Sequence, residues 1–250
     1  MSVQVFGVDV GGSGVKGAPV DLSTGALTAE RSRIPTPHPS TPAAVTDAIA
    51  EIVESHGWTG PIGVTVPGVV RNGVVETAAN IDAGWVGLDA GAMLSDRLEM
   101  PVTVLNDADA AGLAEARFGA AAGEPGVVIL LTFGTGIGSA YVYDGRLIPN
   151  TELGHLQFRG QEAEQYAAGR LVKRGDLTVD WWAKRVDEVL RYIEELFWPD
   201  LFVFGGGISK RFEDYSHHFS TRAQIVPAVL RNQAGIVGAA YAASIGADHG

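Results

Sequence analysis

Asp9 is the single charge in an apolar run, V-Q-V-F-G-V-D-V, and the glycine-rich stretch Gly11-Gly12-Ser13-Gly14 follows it almost at once, ending in Lys16 and Gly17. A strand that delivers one carboxylate into a turn of bare backbone amides suits a metal-bound phosphate. The amides of Gly11, Gly12, Ser13 and Gly14 can approach phosphate oxygens because few side chains stand in the way. Lys16 adds a point charge, and Asp9 can hold Mg²⁺ directly or through water. Two more glycine turns follow apolar strands: Thr132-Phe133-Gly134-Thr135-Gly136-Ile137-Gly138 and Gly205-Gly206-Gly207. Asp107 stands with Asn106 at the end of another apolar run, a place suited to a proton acceptor. On residue type alone, Asp107 is better explained as the N-cap of the helix it opens. Glu152 and His155 are spaced so that a turn could aim both at one ligand, although an isolated pair of this kind is more often a surface contact.

The literal pattern G-x-G-x-x-G occurs at Gly12, Gly14 and Gly17 and invites a dinucleotide site. That fingerprint must open a helix whose N-terminus meets the pyrophosphate. Here Ala18, Pro19 and Val20 continue a β pattern instead. The nucleotide P-loop pattern fails as well, because Ala18 follows Gly17 where a lysine is required. One such turn could be a tight hairpin and nothing more; a set of three, each after an apolar strand, points to phosphate.

The elements that must hold these residues alternate between strand and helix. After the opening strand, Val15–Val20 returns and Ala26–Ile34 continues as an extended segment. Thr41 caps a helix with Pro42 at its first position, running to about His56, with Val45, Ile49, Ile52 and Val53 on one face. Ile62–Val66 is a buried strand, and Val69–Val75 folds back through Asn72-Gly73. A helix near Ala90–Glu99 precedes the strand Val102–Leu105, and Asp107–Gly119 is helical. Val127–Thr132, Ser139–Tyr143 and Arg146–Ile148 are strands. Val179–Phe197 is an amphipathic helix, Leu201–Phe204 a buried strand, and Ile225–Leu230 a short strand that Pro227 places near an edge. Gln233–Ile245 is a helix of small residues able to pack closely. Strand, glycine turn and return strand occur at Val3–Val20 and again at Val127–Ile148, which predicts two similar domains with a cleft between them.

The chain has 250 residues, 46% of them hydrophobic and 19% charged, an ordinary globular composition. Its net charge of −11 argues against general nucleic-acid binding, though not against a local basic groove. There are no cysteines, which excludes disulfides, thiolate zinc sites and cysteine nucleophiles. No basic segment followed by an apolar one opens the chain, and the longest apolar run, Val127–Phe133, is too short to span a bilayer. A cytoplasmic protein, without membrane or DNA partners, is expected.

Taken together the motifs resemble a family. Asp9-Val10-Gly11-Gly12-Ser13-Gly14-Val15-Lys16 resembles the first phosphate loop of sugar kinases with the actin and hexokinase fold. Thr132–Gly138 resembles their second phosphate loop, and Gly205-Gly206-Gly207-Ile208-Ser209 their nucleotide-end motif. Glu152-Leu153-Gly154-His155 resembles the sugar-binding E-x-G-H segment of the ROK group (repressors, open reading frames, kinases). Within it, Asn150–His155 and Gly205–Arg211 are similar to a short branch of glucokinases that use polyphosphate. The resemblance covers essentially the whole chain. It implies a two-domain, actin-like (ribonuclease H-like) α/β fold, with 1–107 completed by the helix 232–250 as one domain and 108–231 as the other. It also implies phosphoryl transfer from inorganic polyphosphate, with ATP a further candidate donor, to the 6-hydroxyl of glucose.

The resemblance makes Asp107 the general base. The sugar site would comprise Asn80, Asn106, Asp107, the backbone of Gly134, Glu152, His155 and Glu164, with Glu162 an alternative to Glu164. Phosphate would meet Asp9, Gly11, Gly12, Ser13, Gly14, Lys16, Thr132, Gly134, Thr135, Gly136, Gly205, Gly206, Gly207, Lys210 and Arg211. Arg231 is a further candidate, whereas Lys173, Arg174, Lys184 and Arg185 read as solvated charge. Mg²⁺ at Asp9 and a homodimer are implied too. The chain departs from the wider group in lacking the cysteines of its zinc site and, at its start, the DNA-binding helices of its repressors. A strictly ATP-dependent hexose or N-acetylhexosamine kinase, a non-catalytic sugar sensor and a dinucleotide-dependent oxidoreductase are the alternatives.

Overall fold

The computed structural model describes residues 3–246 and is mixed α/β. In chain order it runs β1 (Gln4–Gly11), β2 (Gly14–Asp21), β3 (Ala26–Leu27), β4 (Ser32–Ile34), α1 (Pro42–Ser55), β5 (Ile62–Val66), β6 (Val70–Arg71) and β7 (Val74–Val75). Next come α2 (Ala90–Leu98), β8 (Val102–Asn106), α3 (Asp107–Phe118), β9 (Val127–Phe133), β10 (Ile137–Tyr143) and β11 (Arg146–Ile148). The remainder is β12 (Gln157–Phe158), β13 (Gln161–Glu162), α4 (Ala163–Ala167), α5 (Arg170–Lys173), α6 (Val179–Phe197), β14 (Leu201–Gly205), α7 (Phe212–Tyr215), β15 (Gln224–Pro227) and α8 (Ala234–Ile245). Contacts divide the described residues into two compact units, one holding those up to Ala114 and those from Gln233, the other Glu115–Asn232.

The first unit is built on a sheet of order β3-β2-β1-β5-β8, with β4 also paired to β2. β1 and β2 form an antiparallel hairpin, and β5 and β8 run parallel to β1. Side chains alternate across β1. Phe6, Val8 and Val10 join the core formed with α1 and α2, where Val45, Ile49, Val53, Leu94 and Leu98 are buried. Gly7 and Asp9 face the other way, toward α8. A Cβ on Gly7 would run into the carbonyl oxygen of Ile236, and one on Gly63, its neighbour in β5, into that of Ala239. On the helix side, Gly238 lies as closely against the carbonyl of Ala110 in α3. α8 therefore rests on strand backbone, which only these glycines permit.

The second unit repeats the plan in the order β11-β10-β9-β14-β15, an antiparallel hairpin followed by two parallel strands. The apolar face of α6 (Trp182, Val186, Val189, Leu190 and Ile193) buries against Ile129, Leu131, Phe133, Phe202 and Phe204. The Trp182 indole donates to the carbonyl of Ala167 at 2.8 Å. Glu115, 1% exposed, accepts from the amides of Ala120, Val229 and Leu230 and so ties the segment after β15 to the end of α3.

Several local expectations hold. Thr41 caps α1 with Pro42 in its first turn, and Asn72 and Gly73 both take positive φ in the β6–β7 turn. β15 is an edge strand, but it ends at Pro227 and does not reach Leu230. The extended segment expected over Ala26–Ile34 is two short strands instead. Pro19 of β2 accepts from the Thr28 amide but has no N–H to return, so the ladder lapses until Ser32 pairs with Gly17.

Alanine at Gly63 should push α8 off the sheet and cost on the order of 2 kcal/mol or more, read as a lower urea midpoint. An unchanged midpoint would contradict the close packing.

Candidate active site

In the first unit the candidate residues gather at the carboxyl ends of the parallel strands β1, β5 and β8, where open α/β sheets bind ligands. Asp9 stands near the end of β1. Its Oδ2 pairs with the Lys16 ammonium at 3.0 Å, and its Oδ1 accepts from the Thr65 hydroxyl at 3.2 Å. Thr65, fully buried opposite Asp9 in β5, also accepts from the amide of Val10. On the α8 side, a Cβ on Gly235 would sit 3.0 Å from the Asp9 carboxyl carbon, so the first turn of the helix lies directly against the carboxylate. The turn Gly11–Gly14 keeps its open backbone. Arg33 donates to the carbonyl of Ser13 at 2.8 Å and fills the space beside Gly14. Asn80, with φ of +62°, has its Cβ 3.7 Å from where one on Gly12 would be, so it borders the same turn.

Asn106 and Asp107 follow from β8 into α3. The N-cap is Asn106 and not Asp107. Asn106 Oδ1 accepts from the amides of Ala108 at 2.7 Å and Asp109 at 3.1 Å, while its Nδ2 donates to the carbonyl of Gly68. Asn106 is nearly buried and much of its hydrogen-bonding capacity is committed, which leaves one amide hydrogen for a ligand. Asp107 occupies the first helical position, with one carboxylate oxygen 2.9 Å from the next amide.

In the second unit, β9 and β14 run parallel with Thr132 beside Gly205, so the second and third glycine turns lie together. Gly206, at φ of +86°, packs on the backbone of Phe133, and the carbonyl of Gly206 takes the Ser209 hydroxyl at 2.8 Å. Gly134 and Gly207 have open space where a Cβ would be. Two residues brace the second turn. Glu164 accepts from the amide of Ile137 at 3.3 Å, and Arg170 donates to the carbonyl of Thr135 while pairing with Glu164 at 3.7 Å. Lys210 is exposed, and Arg211 pairs with Asp214 at 2.8 Å. Arg185 and Lys184 lie over the rings of Tyr166 and Trp181.

Glu152 and His155 bound the short turn Leu153–His155. Ser139 fixes this turn by accepting from the amide of Leu153 at 2.9 Å and donating to the carbonyl of Thr151. Gly154 packs on the carbonyl of Ile137, where no larger residue fits. His155 Nδ1 is 3.2 Å from Glu162 Oε1, and its Nε2 is 3.9 Å from Glu152 Oε2. Burial pushes the Glu152 carboxyl above its ordinary range; His155 opposes the shift and the nearby charge of Glu164 adds to it. Glu152, His155, Glu162 and Glu164 thus form one cluster.

Thr65, Arg33, Arg170 and Gly235 escaped the sequence reading. Thr65 carried a legible signal, a lone hydroxyl inside an apolar strand. The others are placed by chain segments distant in sequence.

The structure is similar to solved ones. It aligns with the inorganic polyphosphate/ATP-glucomannokinase of Arthrobacter sp. strain KM at a TM-score of 0.92 and 48% identity, covering 97% of this chain and 99% of that one. A ROK family glucokinase from Streptomyces griseus, solved with glucose and AMPPNP, aligns at a TM-score of 0.83 and 26% identity over 98% and 100%. In sequence, the polyphosphate glucokinase of Mycobacterium tuberculosis (strain CDC 1551 / Oshkosh) is 54% identical over 98% of this chain and 92% of its own length. The model of the ROK family matches residues 5–170, and this chain belongs to that family.

Proposed function

We propose that this protein is a glucokinase that transfers the terminal phosphoryl group of inorganic polyphosphate to the 6-hydroxyl of glucose, with ATP as a second donor. What carries the reading is the 54% identity to a polyphosphate glucokinase over 98% of the chain. The relative named a polyphosphate/ATP-glucomannokinase supports the second donor. In the reaction, the bond from the terminal phosphorus to its bridging oxygen breaks and a bond to glucose O6 forms. The O6 proton passes to the Asp107 carboxylate, and polyphosphate leaves one unit shorter. Such transfers ask for positioning and charge neutralisation more than covalent help from the protein.

Asn80 and the remaining amide hydrogen of Asn106 would meet sugar hydroxyls. Glu152 and Glu164, with the backbone of Gly134, would hold others. Glu162 has a different part in this reading: it would accept a hydrogen bond from His155 Nδ1–H, and that tautomer presents Nε2 as an acceptor for a hydroxyl. The amides of Gly11, Gly12, Ser13 and Gly14, and the turns at Thr132–Gly136 and Gly205–Gly207, would receive phosphate oxygens. Lys16, Lys210 and Arg211 would supply positive charge.

Asp9 fits a Mg²⁺ ion. It is a single, partly exposed carboxylate whose oxygens keep lone pairs beyond those used by Lys16 and Thr65, and Mg²⁺ is commonly held by one or two carboxylates with water and phosphate oxygens. Bound there, the ion would neutralise charge on the donor phosphates. The zinc site of the wider group lacks its cysteine ligands in this chain. A homodimer and a cytoplasmic location belong to the same proposal; no helix among the described residues is long and apolar enough to cross a membrane.

Asp107→Asn keeps the side chain's shape and leaves the Asn106 cap in place. It should lower kcat by about 10²–10⁴ in a glucose 6-phosphate assay while glucose affinity by calorimetry changes only a few-fold. Near-wild-type turnover would overturn the base assignment.

Ionised, Glu152 offers sugar hydroxyls two charged acceptor oxygens, and its carboxyl is held above the ordinary value of 4.5. As pH falls through that raised value the charge is lost and one acceptor becomes a donor, so kcat/KM for glucose should drop on the acid side. In Glu152→Gln the limb assigned to this group should vanish, at a lower overall level. An unaltered acid limb in the variant would show that another group controls it.

A further inference from the structure

We infer that Asp180, His217 and His218 form a site for a borderline transition-metal ion of the Zn²⁺ class. Among the described residues this is the one group of histidine and carboxylate side chains that offers three ligand atoms all within 4.8 Å of one another. His218 Nε2 stands 3.3 Å from Asp180 Oδ1. A tetrahedral ion with ligand bonds of about 2.0–2.2 Å requires ligand atoms about 3.4 Å apart, so one edge of the tetrahedron is already at its spacing. The His217 ring lies against that of His218, with centroids 4.1 Å apart. It is exposed, and one of its ring nitrogens lies within 4.8 Å of both other ligand atoms.

The two segments that carry the ligands are held by packing independent of any ion. Asp180 lies in the first turn of α6, capped by the Thr178 hydroxyl at the amide of Trp181. The turn Ser216–His218 is followed by Phe219, whose ring packs among Phe204, Phe212 and Tyr215. The His218 side chain is only 18% exposed. Two imidazoles and one carboxylate select Zn²⁺, Ni²⁺ or Cu²⁺ over Mg²⁺ and Ca²⁺, which prefer all-oxygen sets. A water would complete the shell.

An ion here ties the 216–218 turn to α6. The preceding Tyr215 hydroxyl donates to the carbonyl of Ile208 at 3.0 Å, within the third glycine turn's Gly207–Arg211 segment. Occupancy would therefore stiffen the support of that segment. It shares no ligand with Asp9 or with the Glu152–His155 cluster.

The test is equilibrium dialysis of chelator-treated full-length protein against micromolar Zn²⁺ with Mg²⁺ in excess. The expected result is about one Zn²⁺ per chain, weakened at least about tenfold in Asp180→Asn and lost in the His217→Ala/His218→Ala double variant. The zinc-free double variant should keep the wild-type circular dichroism and glucose-phosphorylating activity. Zinc should raise the unfolding temperature of the wild type and not that of the double variant. His155→Ala, which removes the other histidine flanked by carboxylates, should still bind the ion. No zinc on the wild type, full binding by the double variant, equal thermal shifts in both, or loss of the ion in His155→Ala would each overturn the inference.

Discussion

The first unit depends on a helix lying on bare backbone. α8 approaches β1 and β5 so closely that side chains at Gly7 and Gly63 would strike its carbonyls, and the first turn of the helix reaches Asp9 through Gly235. The environment of the carboxylate follows from this packing and from strand alternation. Gly7 and Asp9 face one way because they are two residues apart on a strand, and Thr65 faces the same way because it is Asp9's neighbour in β5. A helix N-terminus favours negative charge. The Asp9 carboxylate is thus met by an ammonium, a hydroxyl and a helix start, each from a different segment.

In the second unit one carboxylate serves two purposes. Glu164 receives an amide of the second glycine turn and pairs with Arg170, which in turn holds a carbonyl of the same turn. Its charge also raises the carboxyl of Glu152. The shape of the second glycine turn and the electrostatics of the Glu152–His155 pair are therefore coupled through a single side chain. Such coupling resists substitution, because a neutral residue at Glu164 would loosen the turn and alter the neighbouring carboxyl together.

Much of this was legible in the chain itself. Periodicity located α1, α6 and the core strands because each must bury one face, and Asn72-Gly73 announced its turn through backbone conformation. The small residues of 233–245 announced a close-packed helix. What escaped was set by distant contacts. Asp107 read as a cap until Asn106 proved to hold both amides, and sequence order alone does not say which of two adjacent polar residues turns inward. The break after Leu27 follows from the missing N–H of Pro19 on a neighbouring strand. The roles of Arg170 and Gly235 exist only once α4, α5 and α8 are in place. Residues 157–173, short of periodic signal, fold as two tiny strands and two short helices fixed by the turns beside them.

If this chain moves phosphoryl groups from polyphosphate to glucose, ³¹P NMR of the purified protein with glucose, polyphosphate and Mg²⁺, and no nucleotide, will show it. A growing glucose 6-phosphate resonance at the expense of the polyphosphate signal, abolished by chelating the metal, is expected. Glucose 6-phosphate formed only when ATP is supplied, or with neither donor, would contradict it.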